Sequence, residues 1–221
     1  MTKVLLFSWW IDSYVAYKWY ESKWEQVIPL YVDLWGVYWL REWEYVKQLL
    51  PQTKRVECFI PQKKDENAFI PARNLLLATI ALQFWDEIIM WWLKDDNCED
   101  KNEAIFKEFS DILTKISRKE VKVVSPFWKM TKDEVVKWYL EQWYSVDELK
   151  KTVSCYNWEH YCWKCPSCFR KWVVFNNNGI KLDFYNEELI NSYKKRMESW
   201  KYDKHRAEIT LKVINNYFNS K

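Results

Sequence analysis

The chain has 221 residues, with 34 Lys and Arg against 31 Asp and Glu and a formal charge of +3. That length fits one domain, or one domain with a small appendage, and the mixed charges argue against stable nucleic-acid binding. No apolar run reaches membrane-span length, and Met1-Thr2-Lys3 leads straight into a strand-like run without a secretion signal, so a cytoplasmic protein with no membrane partner is expected.

In chain order, Lys3–Phe7 predicts a first strand, Asp12–Lys23 a helix and Val27–Val32 a second strand. Leu40–Leu50 predicts a helix and Thr53–Phe59 a third strand. Pro71–Phe84 is a long apolar helix with Pro in its first turn, a favoured place. Asp86–Leu93 reads as a fourth strand, Lys101–Ile116 as an amphipathic helix and Val121–Val124 as a fifth strand. Thr131-Lys132-Asp133-Glu134 is a capping box opening a helix over Val135–Gln142. Ser167–Asn176 is helical, and a tail over Glu187–Asn219 forms one or two amphipathic helices. Strands alternating with helices predict an α/β fold, a doubly wound parallel sheet of about five strands. The expected division is 1–150 for that domain, 151–185 for a cysteine-bearing segment and 186–221 for the tail.

Seventeen tryptophans stand against two glycines, where a chain of this length carries roughly 7% glycine, about fifteen residues. Many tryptophans occupy glycine places. Trp85 follows an apolar helical run, where a left-handed residue ends a helix. Trp158 follows Asn157 as the glycine of a turn does, and Trp163 sits inside the Cys162–Cys165 step. Most of these positions are therefore expected to be glycine in the organism. Some bacterial lineages read UGA as glycine, and a table assigning UGA to tryptophan produces this pattern.

After the first strand comes Phe7-Ser8-Trp9-Trp10-Ile11-Asp12-Ser13. As written, two indoles crowd the strand tip. Read with glycines, it is S-G-G-I-D-S, a tight turn whose N–H groups and helix N-terminus suit a phosphate. Asp12 orients the loop or helps hold Mg²⁺. Arg73 and Asn74 open the central helix at the sheet edge where ligands bind in open α/β folds. There Arg73 holds a phosphate or carboxylate and Asn74 reads the ligand, unless they are an exposed helix-start pair. Asp33 ends the second strand and contacts adenosine or substrate, or caps a turn. Asp95, Asp96, Glu99 and Asp100 read as a solvated acidic loop. Cys155, Cys162, Cys165 and Cys168 supply four thiolates within fourteen residues, which suits tetrahedral Zn²⁺ in a structural role. His160 is not needed as a ligand, His205 reads as surface, and Cys58 and Cys98 read as unliganded.

An S-G-G-x-D-S loop resembles the pyrophosphate-binding loop of the N-type, or PP-loop, ATP pyrophosphatases. With the cysteine cluster, the chain resembles the 7-cyano-7-deazaguanine synthase family. Ile70-Pro71-Ala72-Arg73-Asn74 is similar to that family's V-P-A-R-N. Ser125-Pro126-Phe127, Met130–Val136, Thr152–Tyr156 and Cys162–Lys171 match further motifs in family order, over about residues 3–182. The resemblance implies a PP-loop fold with a C-terminal zinc knuckle and helical tail. It implies ATP-dependent conversion of 7-carboxy-7-deazaguanine and ammonia to 7-cyano-7-deazaguanine, with ATP, Mg²⁺ and Zn²⁺. It places Asp12, Ser13 and Arg73 in catalysis. It places Phe7, Ser8, Trp9, Trp10, Ile11, Asp12, Ser13, Asp33, Arg73 and Asn74 around the nucleotide, and the four cysteines on zinc. The assembly weighed is a homodimer. After Asp33 the family's D-Y-G-Q-R-H is absent, and the Leu93–Glu99 loop is shorter than the family's. The tail past Asn186 also lies outside the family pattern. A PP-loop enzyme amidating or thiolating another acceptor, such as a tRNA base, keeps the same fold. A non-catalytic zinc-stabilised module is the reading if Trp9 and Trp10 are genuine.

Overall fold

A computed structural model describes residues 2–34, 39–60, 70–96, 100–155, 161–199 and 202–220. The expectations for Trp158, His160 and Cys98 lie outside these residues. The chain divides into two compact units, Met1–Lys129 and Met130–Lys221.

The first unit is a five-stranded parallel sheet in the order β3-β2-β1-β4-β5. The strands are β1 Lys3–Leu6, β2 Val27–Asp33, β3 Lys54–Glu57, β4 Glu87–Ile89 and β5 Lys122–Val124. The helices between them are α1 Ile11–Glu21, α2 Trp39–Leu49, α3 Arg73–Ala81 and α4 Glu103–Ser117. The apolar run of β1 is buried along Val4, Leu5 and Leu6, as expected of a central strand covered on both faces. Alternation sorts these side chains. Val4 and Leu6 join Leu30, Ile88, Val123, Ala78 and Phe106 in one core cluster, under α3 and α4. Because β2 and β4 flank β1, the winding reverses between β1 and β4. Open α/β sheets bind ligands at such a switch point, outside the carboxyl ends of the strands.

The predicted fold class is the observed one, with shorter elements. The helix expected over Pro71–Phe84 runs only from Arg73 to Ala81, because Ala72 is left-handed at φ 56° and Pro71 precedes it in a turn. Trp85 lies beyond that helix and is not left-handed, contrary to the expectation from its neighbours. The third strand ends at Glu57 and leaves Phe59 exposed. The fourth stops at Ile89, where pairing with β5 ends.

The second unit holds α5 Lys132–Glu141, α6 Val146–Lys151, α7 Pro166–Asn177, α8 Glu187–Glu198 and α9 Lys204–Asn219. The Thr131–Glu134 capping box is present in both directions. Sequence reading missed α6, whose signal is Ser145 capping the Glu148 N–H. The tail forms two helices, both packed in this unit. Phe169 of α7 stacks on Tyr193 of α8 at 4.1 Å, and Trp172 meets Tyr217 of α9 edge-on at 5.7 Å. His205 is half-buried rather than a surface residue. Among the described residues no helix is long and apolar enough to cross a membrane.

Candidate active site and metal centre

The loop after β1 sits at the carboxyl edge of the sheet. Phe7 donates its N–H to Leu30 O at 2.8 Å, which ties the strand end to β2. Ser13 organises the turn from the first coil of α1. Its hydroxyl lies 2.8 Å from Ser8 O and 3.0 Å from Trp10 O, and it accepts from the Ser8 N–H at 3.1 Å. Ser13 is fully buried and Asp12 nearly so, which puts both inside the loop's framework. Trp10 is the N-cap of α1 and supplies no side-chain acceptor. The crowding expected from two indoles is partly relieved. Trp9 is only 4% exposed and packs on Tyr45 of α2, with ring centroids 5.5 Å apart.

Beside the loop lies a polar network that sequence reading did not anticipate. Asp33 ends β2 fully buried, and Arg55 of β3 grips its carboxylate through Nη2 at 2.6 Å and Nε at 3.2 Å. A buried carboxylate needs such a partner; the cue was a basic pair, Lys54-Arg55, opening the neighbouring strand. Arg55 also lies over the Trp43 ring, which stacks on Tyr31. The Tyr31 hydroxyl donates to Glu42 Oε2 at 3.4 Å. Glu42 is half-buried as a residue, with its carboxyl end enclosed. That enclosure pushes the carboxyl up to about 7; Tyr31 opposes the shift, the Asp33 charge adds to it, and Arg73 opposes it.

Arg73 and Asn74 differ in placement. Asn74 is buried, and its amide donates to Asp100 Oδ2 at 2.7 Å, so it anchors the segment that leads into α4. Arg73 is half-buried at the start of α3, and among the described residues its guanidinium forms no ion pair. No side chain caps α3, and its N-cap holds the strained left-handed Ala72. Non-glycine residues in that region cost of order 1–3 kcal/mol and gather at functional sites. Asp95 is buried, and Asp96 lies 3.3 Å from the Leu93 N–H. These two do not belong to a solvated acidic loop as expected, because they fold back on the chain leaving β4.

In the second unit, Cys155, Cys162, Cys165 and Cys168 are all buried, and their sulfur atoms lie within 4.8 Å of one another. Tetrahedral thiolates at ~2.3 Å from a zinc ion stand about 3.8 Å apart; Cys162 and Cys168 are 3.9 Å apart. The Lys164 N–H points at Cys162 Sγ and the Cys168 N–H at Cys165 Sγ, both at 3.4 Å. Such N–H groups stabilise thiolate charge. The cluster suits a metal ion. Cys58, in the first unit, is half-buried. Lys171, a turn beyond Cys168, is buried and donates to Thr152 O and Lys150 O, tying α7 to the segment before the first cysteine. Burial draws its pKa down to about 7, with Cys168 opposing and Lys132 adding.

A doubly wound parallel sheet with a serine-laced loop at its switch point makes the first unit an α/β ligand-binding fold, and the second unit carries a buried four-cysteine cluster that suits a metal ion. The chain belongs to the queuosine biosynthesis protein QueC family, whose pattern matches residues 47–179. That stretch takes in Arg73, Asn74 and all four cysteines, and begins beyond the Ser8–Ser13 loop. The chain is 30% identical over 129 residues to the 7-cyano-7-deazaguanine synthase of Methanococcus aeolicus, covering 52% of this chain and 55% of that protein. It is 30% identical over 126 residues to the enzyme of that name from Methanocaldococcus jannaschii, 51% of this chain and 54% of that one. With that of Methanothermobacter thermautotrophicus, identity is 30% over 134 residues, 57% of each chain. The chain thus spans little more than half the length of these relatives.

Proposed function

We propose that this protein is an ATP-dependent ligase converting 7-carboxy-7-deazaguanine and ammonia to 7-cyano-7-deazaguanine. The observation that carries the reading is Arg73, a guanidinium without an ion pair among the described residues. It opens α3 at the ligand-binding edge of a sheet whose family relatives bear that enzyme's name. The carboxylate attacks the α-phosphorus of ATP and releases pyrophosphate. Ammonia displaces AMP to give an amide. The amide oxygen then attacks the α-phosphorus of a second ATP, releasing a second pyrophosphate, and leaves as AMP while two N–H protons are lost and the nitrile forms. No protein nucleophile is needed; the site must position ATP, neutralise pyrophosphate and exclude water. Ser8, Ser13 and the start of α1 cradle phosphate, with Phe7 and Ile11 fixing the turn. Asp12 orients Mg²⁺, Arg73 balances phosphate charge, and Asn74 and Asp33 shape the nucleotide side. Zinc on the four cysteines holds the second unit's fold. The protein works in the cytoplasm, and a homodimer is compatible with the reading. The working division is 1–150 for catalysis, 151–185 for zinc and 186–221 for the helical tail.

The reading takes positions 9 and 10 as glycine, since an indole at position 9 fills space between the loop and α2. The test is protein with glycine at both positions, given ATP, ammonia and the deazapurine acid. AMP, pyrophosphate and the nitrile are expected, and Arg73→Ala should depress turnover with little change in unfolding. ATP cleavage with another acceptor only would sink the substrate and keep the fold. The burial of Trp9 favours a second reading for the chain as written, a non-catalytic zinc-stabilised module. ATP binding by the glycine form alone separates the two.

A further inference from the structure

Among the described residues, five that are not glycine have left-handed backbones: Trp24, Ala72, Arg118, Trp143 and Trp163. Tryptophan makes up 17 of 221 residues, so fewer than one such position in five is expected to hold it. A bulky side chain there meets its own backbone, and glycine is the residue that fits.

Each of the three positions has a helix-end or turn geometry that calls for glycine. Beyond α1, the Trp24 N–H bonds Glu21 O at 3.0 Å and the Glu25 N–H bonds Tyr20 O at 3.1 Å. This is the paired closure of a Schellman motif with Trp24 at its left-handed position. Beyond α7 the same pair recurs: the Gly179 N–H bonds Asn176 O at 3.1 Å, and the Ile180 N–H bonds Phe175 O at 2.9 Å. There the left-handed residue is Gly179, φ 75°. Positions 24 and 179 do one job with different residues. Trp143, φ 61°, donates to Leu140 O at 3.0 Å just after α5. Trp163, φ 54°, turns the chain between two cysteines so that the Lys164 N–H reaches Cys162 Sγ. The Trp163 ring meets Tyr161 at 5.6 Å and Tyr185 at 5.7 Å, so position 163 rests on its backbone alone, whereas the Trp24 and Trp143 side chains give no compensating reason. Trp24 is 96% exposed and Trp143 95%, in a chain that buries Trp9, Trp92 and Trp172.

We infer that positions 24, 143 and 163 carry glycine in the protein its own organism makes, the codons there being UGA read as glycine. The inference stands on backbone geometry and is independent of the proposed reaction. The experiment is peptide mass measurement on the protein isolated from its native cells, with the gene sequenced alongside. Peptides spanning the three positions should each be lighter by the difference between tryptophan and glycine, over UGA codons. Tryptophan masses over UGG codons overturn it. Because neither readout uses ATP or substrate, failure here and failure of the ligase reading are told apart.

Discussion

Replacing Trp24 and Trp143 with glycine should stabilise the chain as written, and the size of the effect follows from two terms. The left-handed conformation costs an L-residue roughly 1–2 kcal/mol. Glycine returns about 0.5–1 kcal/mol of that through its greater freedom when unfolded. Both indoles are almost wholly exposed, so little burial is lost. The balance is about 1 kcal/mol per site. Trp24 lies in the first unit and Trp143 in the second, so the gains should be independent. For a chain of this size each corresponds to about 2–4 °C in Tm. Urea unfolding of single and double variants measures it. Alanine at the same sites is the control, since it removes the indole and keeps the β-carbon that creates the strain. It should move stability by no more than about 0.5 kcal/mol. If alanine and glycine stabilise equally, the backbone argument is wrong and the indoles destabilise in some other way.

Two further outcomes concern the buried groups. The Glu42 carboxyl titrates near 7 when folded against an ordinary 4.5, so between those values the folded state keeps a proton that the unfolded state has lost. Stability therefore falls as pH rises through that window. Glu42→Gln should match wild type near pH ~4 and exceed it by up to about 3 kcal/mol above neutral pH. Equal stability of the two at every pH contradicts the burial of the Glu42 carboxyl. In the second unit, one zinc per chain is expected, and Cys165→Ser should release it and loosen α7, since structural zinc contributes folding free energy. Full metal retention in that variant, or none in the parent, removes the assignment.

How much was legible can be judged element by element. Helix ends with their own chemistry were readable: Thr131 and Glu134 named the start of α5 because both partners of the cap lie within one turn. The four cysteines were readable because three of them lie within seven residues, where any turn keeps thiols close. Ends set by pairing were not. The fourth strand stops where its ladder with β5 stops, which no local pattern reports. The Asp33–Arg55 and Tyr31–Glu42 contacts join residues 22 and 11 positions apart and exist only once β2, β3 and α2 are side by side.

By itself, the sequence determined the alternation of strand and helix, the parallel class that follows from it, and the four-cysteine cluster. Each of these depends on periodicity or close spacing along the chain. It also marked tryptophan as misplaced, since composition is a property of the chain alone. Tertiary structure decided which tryptophans are strained, because φ at a helix end depends on how the chain turns away. It clears Trp85 and convicts Trp24 and Trp143. It likewise decided that Asn74 and Asp33 are held by Asp100 and Arg55 while Arg73 forms no ion pair among the described residues, because a buried polar group must find its partner across space.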